Sequence, residues 1–266
     1  MSATDCETDM ADKLIELISF PAQRRPVAAP RESLGPVIPG AAWPSHPAGP
    51  SEDLTLVDQA RRELEARFVT LDLKPGSVWT ESSLSDLLGI GRTPVREAIA
   101  RMAVDGLVTV IKRAGLVVCE ISLEDQMAVL DARRVLEKMV SVRAAARCTT
   151  LERARLLELA KGIEHAGRDQ DVSLYLRYHF DIKRFVARCA RNKYAERALR
   201  PLHTLSQRFY FAHHRSLDNM HVVGPAHAEL TRAIAAGDER MTAQRCDDAS
   251  DIAEAFTKGL LGEATR

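Results

Sequence analysis

The chain has 266 residues, 37 basic and 37 acidic side chains, a formal net charge of zero and 45% hydrophobic residues. This is the composition of a globular protein long enough for two domains, and it excludes a protein that coats nucleic acid through overall positive charge. No apolar run approaches the ~20 residues that cross a bilayer, and the first twenty residues are too acidic for a secretory signal. The five cysteines are scattered without a CxxC pair, so we expect neither a disulfide framework nor a thiolate zinc site. Cysteines of this kind are typical of a reducing compartment, and we expect a cytoplasmic protein without membrane partners.

The first fifty residues are rich in proline, since eight of the twelve prolines fall between Pro21 and Pro50. Proline removes amide donors and disfavours a packed core. We therefore predict a disordered tail over residues 1–50, followed by a DNA-binding domain over 51–120 and a helical domain over 121–266.

Three short helices are predicted after the tail. Apolar residues recur every four positions from Leu56 to Phe68, which indicates a helix with one buried stripe. Residues 81–88 predict a second helix that Gly89 ends. The Thr93-Pro94 pair supplies a hydroxyl for an N-cap and a first-turn proline, so the third helix is predicted to begin there.

A hairpin follows the third helix. The β-rich runs 107–111 and 116–119 flank the basic tip 112–115. Three helices and a basic hairpin within some seventy residues are typical of a winged helix-turn-helix. After Ser122 only helical periods occur, so the fold class is predicted to be mainly α, with the winged helix-turn-helix followed by an all-α bundle.

The third helix carries the residues that suit DNA recognition. Arg92 and Arg96 lie one turn apart, opposite the apolar face. An arginine fork can bond the guanine O6 and N7 atoms, and the Thr93 hydroxyl can bond phosphate. On composition alone a solvated face, with Glu97 and Arg101 as an ordinary ion pair, explains the same charges.

The string LGIGRTPVREAI at residues 88–99, with LKPG at 73–76, ESSL at 81–84 and DGLV at 105–108, resembles the DNA-binding domain of the GntR family. The resemblance covers about sixty residues without gaps. It implies DNA contacts from seven residues: Arg92, Thr93, Arg96, Ser82, Lys112, Arg113 and Gly115. Ser82 stands where some relatives carry an arginine, so its contribution is limited to a hydroxyl bond to phosphate.

Residues 122–260 resemble the FCD ligand domain of the FadR subgroup of that family. The resemblance rests on Arg133 with Glu137 four residues later, on Asn192, and on His227 eleven residues before Asp238. It implies a bundle that binds a small-molecule effector and forms a homodimer.

Many such domains bind a divalent metal, and by spacing the four ligand positions here are His179, Lys183, His227 and Ala249. Only His227 keeps the usual ligand. Two imidazoles beside an ammonium form a poor site for a dication, so we expect no metal and no other cofactor. A slip of the last helix would instead offer an aspartate, namely Asp247, Asp248 or Asp251.

We predict an effector site for a carboxylate or other organic acid, built from Arg133, His179, Lys183 and His227. A solvent-facing Lys183 is the alternative. The remaining histidines and the large aromatic residues are predicted to lie on the surface or in the core: His203, His213, His214, His221, Tyr175, Tyr178, Tyr210 and Phe211.

These features favour a homodimeric transcriptional repressor that binds pseudo-palindromic operator DNA and responds to a metabolite. A metal-dependent regulator of the same family is one alternative. A helical-bundle enzyme using His179 and Lys183 is another, but the sequence contains no set of nucleophile, base and orienting residue. We therefore expect no enzymatic activity. A nucleoid protein would not need a 140-residue second domain.

Overall fold

The computed structural model describes residues 55–112, 114–213 and 220–264, with side chains as far as residue 260. The predicted tail and Arg113 lie outside the described residues. The elements in chain order are α1 (Leu56–Val69), β1 (Val78–Trp79), α2 (Glu81–Leu88), α3 (Arg92–Val104), β2 (Val108–Ile111), β3 (Gly115–Val118), α4 (Leu123–Arg147), α5 (Thr150–Arg168), α6 (Val172–Cys189), α7 (Lys193–Ala212), α8 (Met220–Ala236) and α9 (Glu239–Ala264). The predicted fold class is confirmed.

The first three helices and the small sheet share one apolar core. The α1 stripe packs through Leu64 against Leu84 of α2 and against Val95 and Met102 of α3. The sheet order is β1-β3-β2 with antiparallel pairing, and Val110 of β2 lies opposite Leu116 of β3. The sequence analysis did not predict β1, because two residues are too few to show an alternating pattern.

The predicted start of the third helix is wrong by two residues. Helix α3 begins at Arg92, and its N-cap is Gly91, which makes no side-chain capping bond. Thr93 is therefore the second residue of the helix rather than its cap. Pro94 is accepted in this first turn because the amides there have no intrahelical partner to lose.

Helices α4–α9 form the second core. These six elements are all helices, as the helical periods after Ser122 predict. Helices α5 and α8 approach closely at two glycines: a Cβ added to Gly224 would lie 2.9 Å from the Cα of Gly167. Within the described part of the chain, no helix is both long and apolar enough to cross a membrane.

Helix α7 joins the two cores. Leu205 packs against the apolar core of the winged helix-turn-helix. Arg208 is only 1% exposed, and its guanidinium donates a hydrogen bond to the carbonyl oxygen of Cys119, just after β3. Burial lowers the pKa of Arg208 to about 10. A buried guanidinium on a main-chain carbonyl fixes α7 to the root of the wing.

Candidate functional site

The predicted recognition residues lie together on an exposed face of α2 and α3. Arg92 donates from Nη2 to the Ser82 hydroxyl at 2.9 Å. Arg96 is 62% exposed, and its Nε lies 3.4 Å from Oε2 of Glu81. Thr93 is exposed beside them. An exposed ion pair of this length is weak, so Arg96 can exchange Glu81 for a nucleic-acid partner at small cost.

The wing residues have different surroundings. Lys112 is exposed next to the end of β2. Gly115 has φ +107°, and a Cβ at this position would collide with the carbonyl oxygen of Trp79 in β1. The structure therefore supplies a packing reason for Gly115, independent of any contact with DNA.

A cavity of about 770 Å³, counting its open mouth, lies inside the helical bundle. Five helices line it: α4, α6, α7, α8 and α9. All four residues predicted for the effector site line this cavity: Arg133, His179, Lys183 and His227. Lys183 does not point to solvent, since only 12% of its side chain is exposed.

A buried carboxylate holds the two cations of the cavity. Glu137 Oε2 lies 2.6 Å from Lys183 Nζ, and its Oε1 lies 2.9 Å from both Arg133 Nε and His203 Nε2. Burial alone would raise the pKa of Glu137, but the charges of Arg133 and Lys183 and the bond to His203 hold it well below its usual range. The carboxylate is therefore ionised.

The three histidines near the cavity are neutral at pH 7. Burial lowers the pKa of His227 to about 4, and burial followed by the charge of His227 holds the pKa of His179 well below its usual range. Burial also lowers the pKa of His203, although Glu137 opposes this. The buried cluster of Arg133, Lys183 and Glu137 therefore carries a net charge of +1. The other charged lining residues are Arg134, Asp131 and Glu254, so the wall as a whole is neutral.

The cavity can bond an anion at more than one place. Arg133 Nη1 is buried without a hydrogen-bond partner among the described residues. Lys183 has three ammonium donors, and one of them is directed at Glu137. His227 does not add a donor for an anion: its Nδ1 lies 3.0 Å from the carbonyl oxygen of Val223 and donates to it, which leaves Nε2 as a hydrogen-bond acceptor.

The donors do not fit a divalent metal. The His179 and His227 rings are 4.5 Å apart between centroids, but the next side chains are the cations Lys183 and Arg133. The buried carboxylate of the cavity wall, Glu137, is already bound by Lys183 and Arg133. Each alternative aspartate has a basic partner of its own: Asp247 pairs with Lys138, Asp248 with Arg245 and Asp251 with Arg134.

Sequence reasoning missed three residues of this site. Tyr175 and Tyr210 line the cavity, and His203 bonds Glu137. The Tyr175 hydroxyl lies 3.2 Å from His227 Nδ1. The spacing of His203 and Tyr210 on α7, seven residues or two turns, was a signal that places both on one helix face.

Comparison with known proteins adds a family assignment. Residues 56–118 match the family described as "Bacterial regulatory proteins, gntR family", and residues 128–248 match the FCD domain. The chain therefore carries a GntR-type DNA-binding domain followed by an FCD domain. Both matches lie within the predicted ranges 51–120 and 121–266.

Two curated relatives share part of this chain. An HTH-type transcriptional regulator from an unstable DNA locus of Streptomyces ambofaciens is 32% identical over 40% of this chain and 44% of its own. One from the TAR-I ttuE-ttuC' intergenic region of Agrobacterium vitis is 35% identical over 27% of this chain and 42% of its own. The matches thus span less than half of either relative. Both relatives are named as regulators rather than enzymes.

Two solved structures share the fold. E. coli McbR/YncC superposes with a TM-score of 0.69 at 18% identity, covering 78% of this chain and 99% of that one. Lar of Listeria monocytogenes superposes with a TM-score of 0.51 at 16% identity, covering 79% and 100%. At these identities the likeness concerns the fold alone.

Proposed function

We propose that this protein, with its GntR-type and FCD domains, is a homodimeric, sequence-specific DNA-binding repressor, and that an organic acid in the FCD cavity modulates its binding to operator DNA without a metal ion. The observation that carries the proposal is the buried cluster in the cavity wall, in which the two cations Lys183 and Arg133 share the single anion Glu137. A carboxylate brought next to this cluster offsets its excess of one positive charge and reaches donors that are already fixed in place.

The DNA-binding half of the proposal rests on the exposed face of Arg92, Thr93, Arg96 and Ser82, with Lys112 and Arg113 of the wing. The guanidinium of Arg96 bonds the edges of the bases. The hydroxyls of Thr93 and Ser82 and the ammonium of Lys112 bond phosphate oxygens of the DNA backbone. Gly115 contributes by letting the wing pack against β1. In a homodimer the two recognition helices read the two halves of a pseudo-palindrome.

The test is a thermal-shift screen of the full chain with carboxylic acids and their uncharged amides, with a chelator present throughout. We expect at least one acid to raise the melting temperature where its amide does not. The same acid should then weaken binding to DNA taken from upstream of the gene, measured by fluorescence anisotropy. Stabilisation by acids only after a dication is added would contradict the metal-free part of the proposal.

A variant of the effector cavity shows whether any divalent metal in the purified protein is bound there. If the cavity holds no ion, His227→Ala should leave the amount of divalent metal in the purified protein unchanged. Loss of one equivalent of metal from this variant would favour the alternative, a metal-dependent regulator.

A further inference from the structure

We propose that Cys148, Cys189 and Glu152 form a second site, separate from the effector cavity, for one thiophilic divalent cation of the zinc type. The sulfur and carboxylate ligand atoms of these residues all lie within 4.8 Å of one another. This is the one such group of three or more ligating residues found in residues 55–112, 114–213 and 220–260. Two thiolates and a carboxylate are a donor set that a d¹⁰ dication accepts.

Three helix ends bring the donors together. Cys148 is the C-cap residue of α4, Cys189 is the last residue of α6, and Glu152 lies in the first turn of α5. Arg147 Nη1 also donates to the carbonyl oxygen of Ala190 at 2.8 Å, which ties the same two helix ends together. The ligands are therefore mounted on fixed elements, as a preformed site requires.

Hydrogen bonds orient the carboxylate of Glu152. Its Oε2 accepts from the backbone N–H of Thr149 at 2.9 Å and from the Thr149 hydroxyl at 3.1 Å. Arg191 Nη2 lies 2.7 Å from Oε1 and 2.8 Å from Oε2. Oε1 thus accepts from Arg191 only and keeps a lone pair for a metal. Outer partners of this kind fix the orientation of ligating carboxylates.

The charges of the site balance. Two thiolates and one carboxylate carry −3, a dication brings +2, and the guanidinium of Arg191 brings +1, which gives zero. The two sulfurs are buried, whereas the Glu152 side chain is 20% exposed. An ion can enter on the Glu152 side, and a water can complete a tetrahedral shell there.

A metal explains this pair better than a redox role. Cys148 and Cys189 are both buried, and buried thiols react slowly with oxidants. Metal binding needs no oxidant, because the dication displaces the two thiol protons into solvent.

The experiment is a Cd²⁺ titration of the reduced, full-length protein, followed through the ultraviolet sulfur-to-cadmium charge-transfer band. We expect one equivalent of Cd²⁺ per chain. Cys148→Ser and Cys189→Ser should each lose most of the band, and Glu152→Gln should raise the dissociation constant about tenfold or more, since even outer-partner losses cost about 10–100-fold. Cys246→Ser, a buried cysteine elsewhere, and His227→Ala in the effector cavity are the matched controls and should keep the band.

A second measurement does not depend on any variant folding. Over a reaction time long enough for iodoacetamide to modify both buried thiols of the metal-free chain, bound Cd²⁺ should protect Cys148 and Cys189 of the wild-type chain from alkylation, as mapped by mass spectrometry. Absence of the band in the wild type, a full band in Cys148→Ser, or alkylation unchanged by Cd²⁺ would each overturn the proposal. So would a reduced protein that takes up no metal and forms a Cys148–Cys189 disulfide in air.

Discussion

Lys183 Nζ lies 2.6 Å from Oε2 of Glu137, deep in the wall of the helical bundle. Lys183 stands at a position where many FCD domains present a metal ligand. The charge that a dication would supply is here supplied by an ammonium and by Arg133, and Glu137 fixes both in place. The two cations of this cavity are therefore held in position before a ligand binds. The conformational entropy of ordering their side chains is lost on folding and not on ligand binding.

Replacing the ammonium tests its part in effector binding. Lys183→Met keeps the length of the side chain but removes the charge, so an acid that stabilises the wild type should bind at least about tenfold more weakly, which is ~1.4 kcal/mol. DNA binding without effector should stay unchanged in anisotropy measurements. Lys161→Met, at an exposed position of α5, is the control. A normal response of the Lys183→Met variant to the acid would remove Lys183 from the site.

The central carboxylate should matter more for stability than any surface carboxylate. Glu137→Gln leaves Lys183 and Arg133 as buried cations without a counter-charge, and we expect a loss of about 3–5 kcal/mol in the free energy of unfolding. Urea denaturation measures this. Glu158→Gln removes an exposed partner of Arg155 and should cost less than about 1 kcal/mol. Equal losses in the two variants would mean that the buried group contributes no more than a surface pair.

A substitution on the recognition helix α3 should weaken DNA binding without changing the stability of the fold. Arg96→Ala should weaken specific DNA binding by about 1–3 kcal/mol for each half-site, because a bidentate base contact is lost. Unfolding should be unaffected, since the side chain is exposed. Arg101→Ala, on the same helix but 2.6 Å from Glu97, is the control and should bind DNA nearly as the wild type does. Unchanged operator affinity for Arg96→Ala would contradict the proposed contact.

The buried histidines predict a loss of stability in mild acid. The folded pKa of His227 is about 4, below the unfolded value of about 6.5, so its contribution is complete above pH 6.5 and is lost as the pH falls toward 4. The two values correspond to about 3 kcal/mol over the whole range. Urea midpoints between pH 7 and pH 5 avoid the lower range where Glu137 titrates. His227→Gln should flatten this slope, and an equal slope in both proteins would refute the assignment.

Two glycines in the DNA-binding domain offer a matched pair. Gly115 and Gly89 both have positive φ, but a Cβ collides with the Trp79 carbonyl oxygen only at Gly115, whereas Gly89 has open space around it. Gly89→Ala should therefore cost about 1 kcal/mol for its backbone conformation alone. Gly115→Ala should cost clearly more and displace the wing, as thermal melts and DNA binding will show. Equal costs would mean that β1 simply moves aside.

The regular spacing of apolar residues along the chain made most of the fold predictable. Four-residue spacing indicated the helices, and Gly89, in the left-handed conformation with φ +64°, ended α2 as expected. The start of α3 was harder, because Gly91 and Thr93 are both acceptable caps and only the surrounding fold selects between them. The pairing of β1 with β3 joins residues that are 37 and 39 positions apart, so no local signal existed.

The candidate site was predictable only where one residue type is unusual at its position. Lys183 stood out because an ammonium replaces an expected ligand. His203 and Tyr210 did not, since a polar residue on a helix face is normally solvated and only tertiary packing buries these two. Cys148 and Cys189 are 41 positions apart in sequence, and their proximity depends on where α4 and α6 end.

Helix α7 has a consequence for the energetics of regulation. Tyr210 and His203 on this helix belong to the cavity and its carboxylate, while Leu205 and Arg208 hold the winged helix-turn-helix. All four residues lie within eight positions of α7. A ligand that shifts this helix therefore moves the cavity wall and the contacts with the winged helix-turn-helix at the same time. Linkage is reciprocal: if such a ligand lowers DNA affinity by a given factor, bound DNA lowers the affinity for the ligand by the same factor. Each operator occupied by this protein would then also act as a competitor for the metabolite.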